Sequence, residues 1–199
     1  MDRGDIDIDF ASRDSAISVL GGTPAGIIRD GKLTKHNTGV YFHRVPTDPL
    51  TGLCSMDYED AERRGLFKID LLNVGVYDLI RDEPHLLEMM SRQIDWSVFE
   101  DTSFVSRLFH LGNHGDLTAR LKPRSIADLA MVLALIRPGK KHLQQRCEKG
   151  GFQSISDEIW TRSETDEYFF KKSHAVSYAM LVYVHANLLL DQDARDASM

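Results

Sequence analysis

The feature that most constrains the fold of this chain is a change in hydrophobic periodicity near residue 80. Before it, apolar and polar residues alternate in "DIDIDF", "TGVYFHRV" and "LFKIDLL", which predicts short β-strands. After it, segments from "HLLEMMSRQI" to "SHAVSYAMLVYVHANLLL" repeat apolar residues at helical spacing. The pattern predicts an α+β protein with a mixed part over 1–80, a helical part over 81–190 and a frayed polar tail over 191–199.

Shorter patterns fill the gaps between these segments. "SRDSAISVL" predicts a short helix, "GGTPAG" a turn-rich break, and "MDYEDAERR" an acidic helix that ends at Gly65. "ISDEIWTRS" has the apolar spacing of a further helix.

Charge and cysteine content bound the class of protein. The formal net charge is −6 and the pI is about 5.7, so bulk charge does not indicate nucleic-acid binding, although a local basic surface is compatible with it. Cys54 and Cys147 lie far apart and match no metal-ligand spacing, which favours a reduced, cytoplasmic protein. The amino terminus is acidic and polar, which predicts no signal peptide. The apolar runs are too short to span a bilayer, so we expect no association with a membrane.

Positive charge is concentrated between residues 120 and 149. A solvated helical face and a phosphate-facing surface both remain open as explanations. The acidic residues in this segment are only Asp128 and Glu148. The basic residues are Arg120, Lys122, Arg124, Arg137, Lys140, Lys141, Arg146 and Lys149.

A row of carboxylates marks the first predicted strand. Asp5, Asp7 and Asp9 occupy every second position of "GDIDIDF", and residues two apart on a strand share a face. Such a row is unfavourable because like charges repel and aspartate is a poor strand former. Local conflicts of this kind often mark functional sites, and hard oxygen ligands suit Mg²⁺ or Mn²⁺. The alternative is an exposed edge strand whose charges discourage aggregation.

A second predicted strand carries Lys68 and Asp70 on one polar face of "FKID". If this strand lies beside the first, aspartates and a lysine converge on one site. Carboxylates that hold two metal ions, with a lysine that neutralises phosphate, are the groups needed for two-metal phosphoryl or nucleotidyl transfer. A plain surface charge pair is the alternative on spacing alone.

Segments along the chain resemble, in the same order, motifs of the bacterial C-family replicative DNA polymerases, the DNA polymerase III alpha subunits. "GDIDIDF…RD" resembles the family's "PDxDxDF…RRD", and "SMDYEDAERRGLFKIDLLNV" resembles "TQFDxxDVExxGLVKFDFLGL". "KHNTGVYFHR" is similar to "KHAGGVVIAP", and "SIADLAMVLALIRPG" to "FEDLIALxALYRPG". "FFKKSHAVSYAMLVYVHANLL" resembles "FNKSHSxAYAxISYQTAYLK", so the similar blocks cover most of the chain.

The resemblance implies a nucleotidyltransferase-like palm sheet followed by a helical, fingers-like region. It makes Asp7, Asp9 and Asp70 the catalytic ligands of two Mg²⁺ ions, which Mn²⁺ can replace, and it gives Asp5 a supporting role. The residues that the resemblance assigns to nucleotide or phosphate binding are Lys68, Arg137, Lys172, Ser173 and His174.

The chain also departs from the family pattern. The interval between Asp9 and Asp70 is much shorter, and the family's "YQEQ" and "RR-xx-K" elements have no counterpart between "RPG" and "FFKKSH". Among the basic residues of this segment, Lys140, Lys141 and Arg146 are the candidates to replace them, although no motif identifies them. The family's glycine- and serine-rich palm loop and its thumb have no counterpart in these 199 residues.

Three functions follow as expectations. The chain is a minimal C-family polymerase core that performs template-directed DNA synthesis, or it is one chain of a split polymerase whose second chain supplies the palm loop and thumb. Its partners are then primer–template DNA, dNTP and a second polymerase chain or replisome protein, in a bacterial or phage-infected cytoplasm. The alternative is a non-catalytic, polymerase-derived module that binds DNA or a replisome protein, which the missing fingers elements favour.

Overall fold

The computed structural model describes residues 7–162 and 170–198, apart from the side chain of Asp7. The chain divides into two compact units, Met1–Leu79 and Ile80–Met199. The first unit contains a small mixed sheet, and the regular elements described in the second unit are all helical. The predicted α+β class is therefore confirmed.

Residues 7–79 of the first unit form four strands and two α-helices. The sheet has the order β1-β4-β3-β2, with β1 parallel to β4 and the other neighbours antiparallel. In chain order the elements are β1 (Asp7–Phe10), α1 (Arg13–Leu20), β2 (Thr23–Arg29), β3 (Lys32–Tyr41), α2 (Tyr58–Arg63) and β4 (Ile69–Asn73), followed by a 3-10 helix (Gly75–Leu79).

Both faces of this sheet carry buried apolar residues. Val40 and Tyr41 are adjacent on β3, so their side chains point to opposite faces. Val40 belongs to one cluster with Ala16 of α1, whereas Tyr41 belongs to another with Ala25. The sheet is thus packed against buried apolar residues on both faces.

The predicted break at "GGTPAG" is wrong, because β2 begins inside it at Thr23. Gly26 permits this pairing, since a Cβ there would lie 2.5 Å from the backbone oxygen of Cys54 and from Leu33 Cδ1. Asp30 and Gly31 form the turn to β3 with φ of 51° and 73°. Asp-Gly is a strong hairpin signal that requires such positive φ values, and it would have predicted the hairpin.

Six α-helices lie in the described part of the second unit, and α6 packs against α8 at the centre of its core cluster. The predicted break at "RPG" is present, because α6 is followed by a 3-10 helix over Pro138–Leu143. The α-helices are α3 (Glu83–Ser91), α4 (Thr102–Ser106), α5 (Gly115–Leu121), α6 (Ile126–Leu135), α7 (Gln144–Gly150) and α8 (Lys172–Asp196), and two other 3-10 helices span Trp96–Glu100 and Phe152–Ile155.

The helix predicted over "ISDEIWTRS" does not form in its described part. Turns follow the short 3-10 helix Phe152–Ile155 instead. Lys140 reaches into this segment, and its Nζ donates to the backbone oxygens of Thr161 at 2.6 Å and Glu158 at 3.4 Å. A buried lysine thus binds the carbonyl groups of this irregular backbone.

The tail predicted to fray from residue 191 is instead the last part of α8, which continues to Asp196. Asp191 accepts a hydrogen bond from Arg92 at 2.8 Å, and Asp193 pairs with Arg107 through two bonds of 2.8 Å. Ion pairs across helices, rather than local propensity, therefore hold these turns in place.

No described helix is both long enough and apolar enough to cross a lipid bilayer.

Candidate functional site

The candidate site is organised by the parallel pairing of β1 with β4. Asp7 is the register partner of Asp70, and Asp9 is the partner of Leu72. Paired residues on neighbouring strands lie on the same face of a sheet, and so do residues two apart on one strand. The strands expected to converge are therefore neighbours, and their register assigns Asp7, Asp9 and Asp70 to one face. Asp5 and the side chain of Asp7 lie outside the described part.

Asp70 is held by hydrogen bonds to both of its carboxylate oxygens. Thr38 Oγ1 donates to Oδ1 at 2.7 Å, and Lys68 Nζ donates to Oδ2 at 2.5 Å. Burial by itself would raise the pKa of this carboxyl group, but the bonds from Lys68 and Thr38 and the charge of Lys68 outweigh it. The pKa of Asp70 therefore lies below its ordinary value, and the group is ionised at neutral pH.

Lys68 is seated more firmly than a surface lysine. Its side chain is 18% exposed, and its ammonium lies 5.8 Å from the centre of the Tyr58 ring, within the range of a cation–π contact. Gly39, the register partner of Asp70 on β3, leaves room for the lysine stem, because a Cβ there would lie 3.1 Å from Lys68 Cδ. Lys68 and Asp70 thus form a mostly buried ion pair.

Two residues that sequence reasoning did not select hold β3 beside Asp70. Arg13 is 2% exposed, and its guanidinium donates to the backbone oxygens of Thr38 at 3.2 Å and Gly39 at 3.0 Å. His36 Nδ1 accepts a hydrogen bond from the amide of Gly39 at 2.9 Å, so its proton resides on Nε2. Burial, and then the charge of Lys68, lower the pKa of His36.

Asp9 lies near Tyr77, whose hydroxyl is 3.4 Å from Asp9 Oδ2. Burial raises the pKa of Tyr77, and the charge of Asp9 raises it further. Tyr77 therefore stays protonated at neutral pH and can donate to the carboxylate. Arg13 and Thr38 lie within the quoted segments "GDIDIDF…RD" and "KHNTGVYFHR", but sequence reasoning gave them no role, and no sequence signal pointed to Tyr77. The fold brings Thr38 and Tyr77 to the carboxylates and Arg13 to the backbone of Thr38.

The donor set fits a hard divalent cation in its chemistry. Carboxylate oxygens are the ligands that Mg²⁺ and Mn²⁺ prefer, and the register assigns three of them to one sheet face. Within residues 7–162 and 170–198, no three His, Cys, Asp or Glu side chains already surround a common point suited to a metal ion. The side chain of Asp7, one of the three proposed ligands, is outside that search.

The predicted nucleotide-binding residues other than Lys68 belong to the second unit. Arg137 stacks on Phe170, with its Cζ 4.7 Å from the ring centre, and its buried Nε has no hydrogen-bond partner among the described residues. Lys172 is exposed with Nζ 6.0 Å from the centre of the Trp160 ring, Ser173 is exposed, and His174 is half-buried. Lys172, Ser173 and His174 lie together in the first turn of α8.

Four of the eight basic side chains in segment 120–149 form ion pairs with described acidic neighbours. Lys140, one of the three candidates to replace the missing fingers elements, is buried and bonded to carbonyl groups, so it is not a surface cation. This pattern favours a solvated helical face over a phosphate-facing surface. The ion pairs are Arg120–Glu148, Lys122–Glu100, Arg124–Glu100 and Arg146–Glu158.

An open polar cleft of about 460 Å³ also lies in the second unit, beside α4 and α5. It is lined by residues 112–117 with Thr102 and Arg120. Arg120 is the cation in its wall, and that guanidinium is already paired with Glu148 at 3.0 Å.

Comparisons of the chain with protein-family models, curated proteins and solved structures found no match. The resemblance to the C-family polymerases therefore rests on the quoted sequence segments, and the roles that it assigns stay predictions.

Proposed function

We propose that this protein catalyses nucleotidyl transfer in template-directed DNA synthesis, as a reduced C-family polymerase core or as one chain of a split polymerase. The observation that carries the proposal is the register of β1 and β4, which pairs Asp7 with Asp70 and assigns Asp9 to the same face. β1 is an edge strand of the described sheet, where outward charges also discourage aggregation. Its pairing with β4 nevertheless sets Asp7 opposite Asp70, and like charges placed opposite one another carry a cost that a bound cation would remove.

Asp7, Asp9 and Asp70 would hold two Mg²⁺ or Mn²⁺ ions. When bound, the ions supply the Lewis acidity that favours attack of a primer 3′-hydroxyl on a dNTP and that neutralises the pyrophosphate leaving group. The protein's own part is to fix its carboxylates. Thr38 orients Asp70 through a 2.7 Å hydrogen bond, and the buried Arg13 fixes the backbone of Thr38. Such preorganised groups need little rearrangement when the reaction occurs.

Lys68 is the residue of the first unit proposed to meet phosphate, because its ammonium lies 2.5 Å from the carboxylate of Asp70. In the second unit, Arg137, Lys172, Ser173 and His174 are the proposed contacts to the triphosphate or the incoming base. A lysine provides a compact point charge for phosphate, and an arginine provides a planar fork of donors.

Primer extension tests this proposal directly. The purified chain is incubated with a labelled primer–template, the four dNTPs and Mg²⁺ or Mn²⁺, beside the double variant Asp7→Asn/Asp9→Asn. Asp14→Asn/Asp30→Asn is the matched control, since it removes two exposed carboxylates from the same unit. We expect extension by the wild type and by the control, and loss of extension in the Asp7/Asp9 variant.

The other outcomes separate the alternatives. A non-catalytic binding module would bind primer–template equally well with or without Mg²⁺ and with or without the aspartates. It would not extend the primer. Extension that appears only after addition of a second polymerase chain identifies a split enzyme. Extension that persists in the Asp7/Asp9 variant would exclude these residues as metal ligands.

A further inference from the structure

Lys68 occupies the position of a cation at the candidate metal site. Its Nζ lies 2.5 Å from Asp70 Oδ2, while the other oxygen of Asp70 accepts from Thr38. The side chains of Lys68 and Asp70 are only 18% and 14% exposed. Water therefore screens this pair poorly. The ammonium of Lys68 already neutralises the carboxylate of Asp70 when no metal ion is bound.

A lysine ammonium and a divalent cation cannot both lie close against one carboxylate oxygen without strong repulsion, because like charges a few ångströms apart in a partly buried site interact strongly. The seat of Lys68 also lies between fixed groups. The centre of the Tyr58 ring lies 5.8 Å from its ammonium, and Gly39, which has no side chain, lies beside its aliphatic stem. These contacts favour the position of Lys68 at Asp70 when no metal ion competes for the carboxylate.

We propose that Lys68 is a built-in counter-cation that a divalent metal ion displaces from Asp70, so that metal binding frees the ammonium to meet a phosphate group. This inference rests on the metal site of the proposed function and adds a regulatory step to it. In the metal-free protein, Lys68 balances the charge of a partly buried carboxylate whose other oxygen accepts a hydrogen bond from Thr38. In the metal-bound protein, the ammonium of Lys68 becomes available to an anion. Binding of the metal ion therefore favours subsequent binding of phosphate.

Mn²⁺ binding, measured by calorimetry on the full chain without nucleotide, tests the competition. Lys68→Gln keeps a hydrogen-bond donor but removes the charge. Lys35→Gln is the matched control, because Lys35 forms an ion pair with Asp14 at 3.1 Å in the same unit. We expect Lys68→Gln to bind Mn²⁺ at least about fivefold more tightly than the wild type, in the usual range of coupling between two sites. Lys35→Gln should bind as the wild type does, and adding Asp70→Asn to Lys68→Gln should abolish the gain.

Lysine reactivity gives a second measurement that needs no variant. Reductive methylation of the wild type, quantified by mass spectrometry, should increase at Lys68 relative to Lys35 when Mg²⁺ is added. Unchanged or reduced labelling of Lys68 would overturn the displacement, and so would equal or weaker Mn²⁺ binding by folded Lys68→Gln.

These readouts separate the inference from the proposed function. Tighter Mn²⁺ binding by Lys68→Gln without primer extension would retain the displaceable lysine and reject autonomous synthesis. Extension by the wild type without the affinity gain would retain the polymerase and reject the displacement. Absence of Mn²⁺ binding in both folded proteins would overturn the inference together with the two-metal mechanism.

Discussion

Asp7 and Asp70 are register partners on two parallel strands that are separated in sequence by most of the first unit. Their backbone register assigns both positions, and Asp9, to one face of the sheet. Lys68 balances part of the charge of these aspartates through its ion pair with Asp70. The site is therefore a compromise between sheet stability and a concentration of carboxylates.

Removing one charge from this row should stabilise the metal-free protein. Asp7→Asn relieves repulsion with Asp70, and we expect the free energy of unfolding in EDTA to rise by about 0.2–1 kcal/mol, the usual size of a cross-strand pair effect. Urea denaturation measures the change. Asp14→Asn is the control, since it breaks the ion pair with Lys35 and should not stabilise the protein. Destabilisation by Asp7→Asn in EDTA would contradict this account.

Thr38 should matter more than its size suggests. Thr38→Val removes the bond to the Asp70 carboxylate with little change of shape, and should cost about 1.5–3 kcal/mol at pH 7 because the acceptor is charged. Thr34→Val on the same strand removes an exposed bond to a backbone oxygen and should cost less.

The Thr38 effect should also depend on pH. The pKa of Asp70 is lowered in the folded state, so the stabilisation it contributes is present above the unfolded value of about 3.9 and is lost as pH falls through the folded pKa. The difference between wild type and Thr38→Val, measured by denaturation, should therefore shrink at low pH. A difference that stays constant down to pH 2 would mean that the ionised carboxylate is not the partner that matters.

Gly26 should be intolerant of any side chain. Gly26→Ala places a Cβ 2.5 Å from a backbone oxygen, and the resulting shift of β2 should cost about 1–3 kcal/mol or more. Gly75→Ala is the matched control, because a Cβ there meets nothing within 4 Å, and its effect should stay within about 1 kcal/mol. Chemical denaturation measures the free energy of unfolding of both variants. Equal losses in the two would show that the close approach at Gly26 is unimportant.

Histidines should make the second unit sensitive to mild acid. Burial, and then the charge of Arg107, lower the pKa of His185, whose Nδ1 accepts a hydrogen bond from the amide of Phe109 at 3.1 Å. Burial, and then the charge of Arg137, lower the pKa of His110. As pH falls below the ordinary value of about 6.5, the unfolded chain binds protons first, so stability is lost until pH reaches the folded pKa values.

Replacing His185 should flatten this pH dependence. His185→Asn keeps an acceptor for the Phe109 amide but cannot titrate, so the loss of unfolding free energy between pH 7.5 and 5.5 should be smaller than in the wild type. His43→Asn is the control, because His43 is exposed. Equal losses in His185→Asn and the wild type would contradict a half-buried His185 that stays neutral in the folded protein.

The sequence by itself determined the elements whose signals are local. The period-two row of aspartates predicted β1, the apolar spacing of residues 126–135 predicted α6, and Gly65 marked the end of α2. It also selected Asp9, Lys68 and Asp70 as charged residues on predicted strands, where aspartates are poor strand formers and like charges repel. Local propensity and periodicity were enough for these, because their physical causes lie within a few residues.

Only the tertiary structure decided the rest. Pairing of β2 with β3 overrode the glycine-rich break, and ion pairs of Asp191 and Asp193 carried α8 beyond its apolar stretch. Thr38 and Arg13 became part of the site because strand register and burial brought them to Asp70 across the sequence. Such contacts depend on which strands are neighbours, and a hydrophobic pattern does not encode that choice, since its period is the same for every partner and every register shifted by two residues.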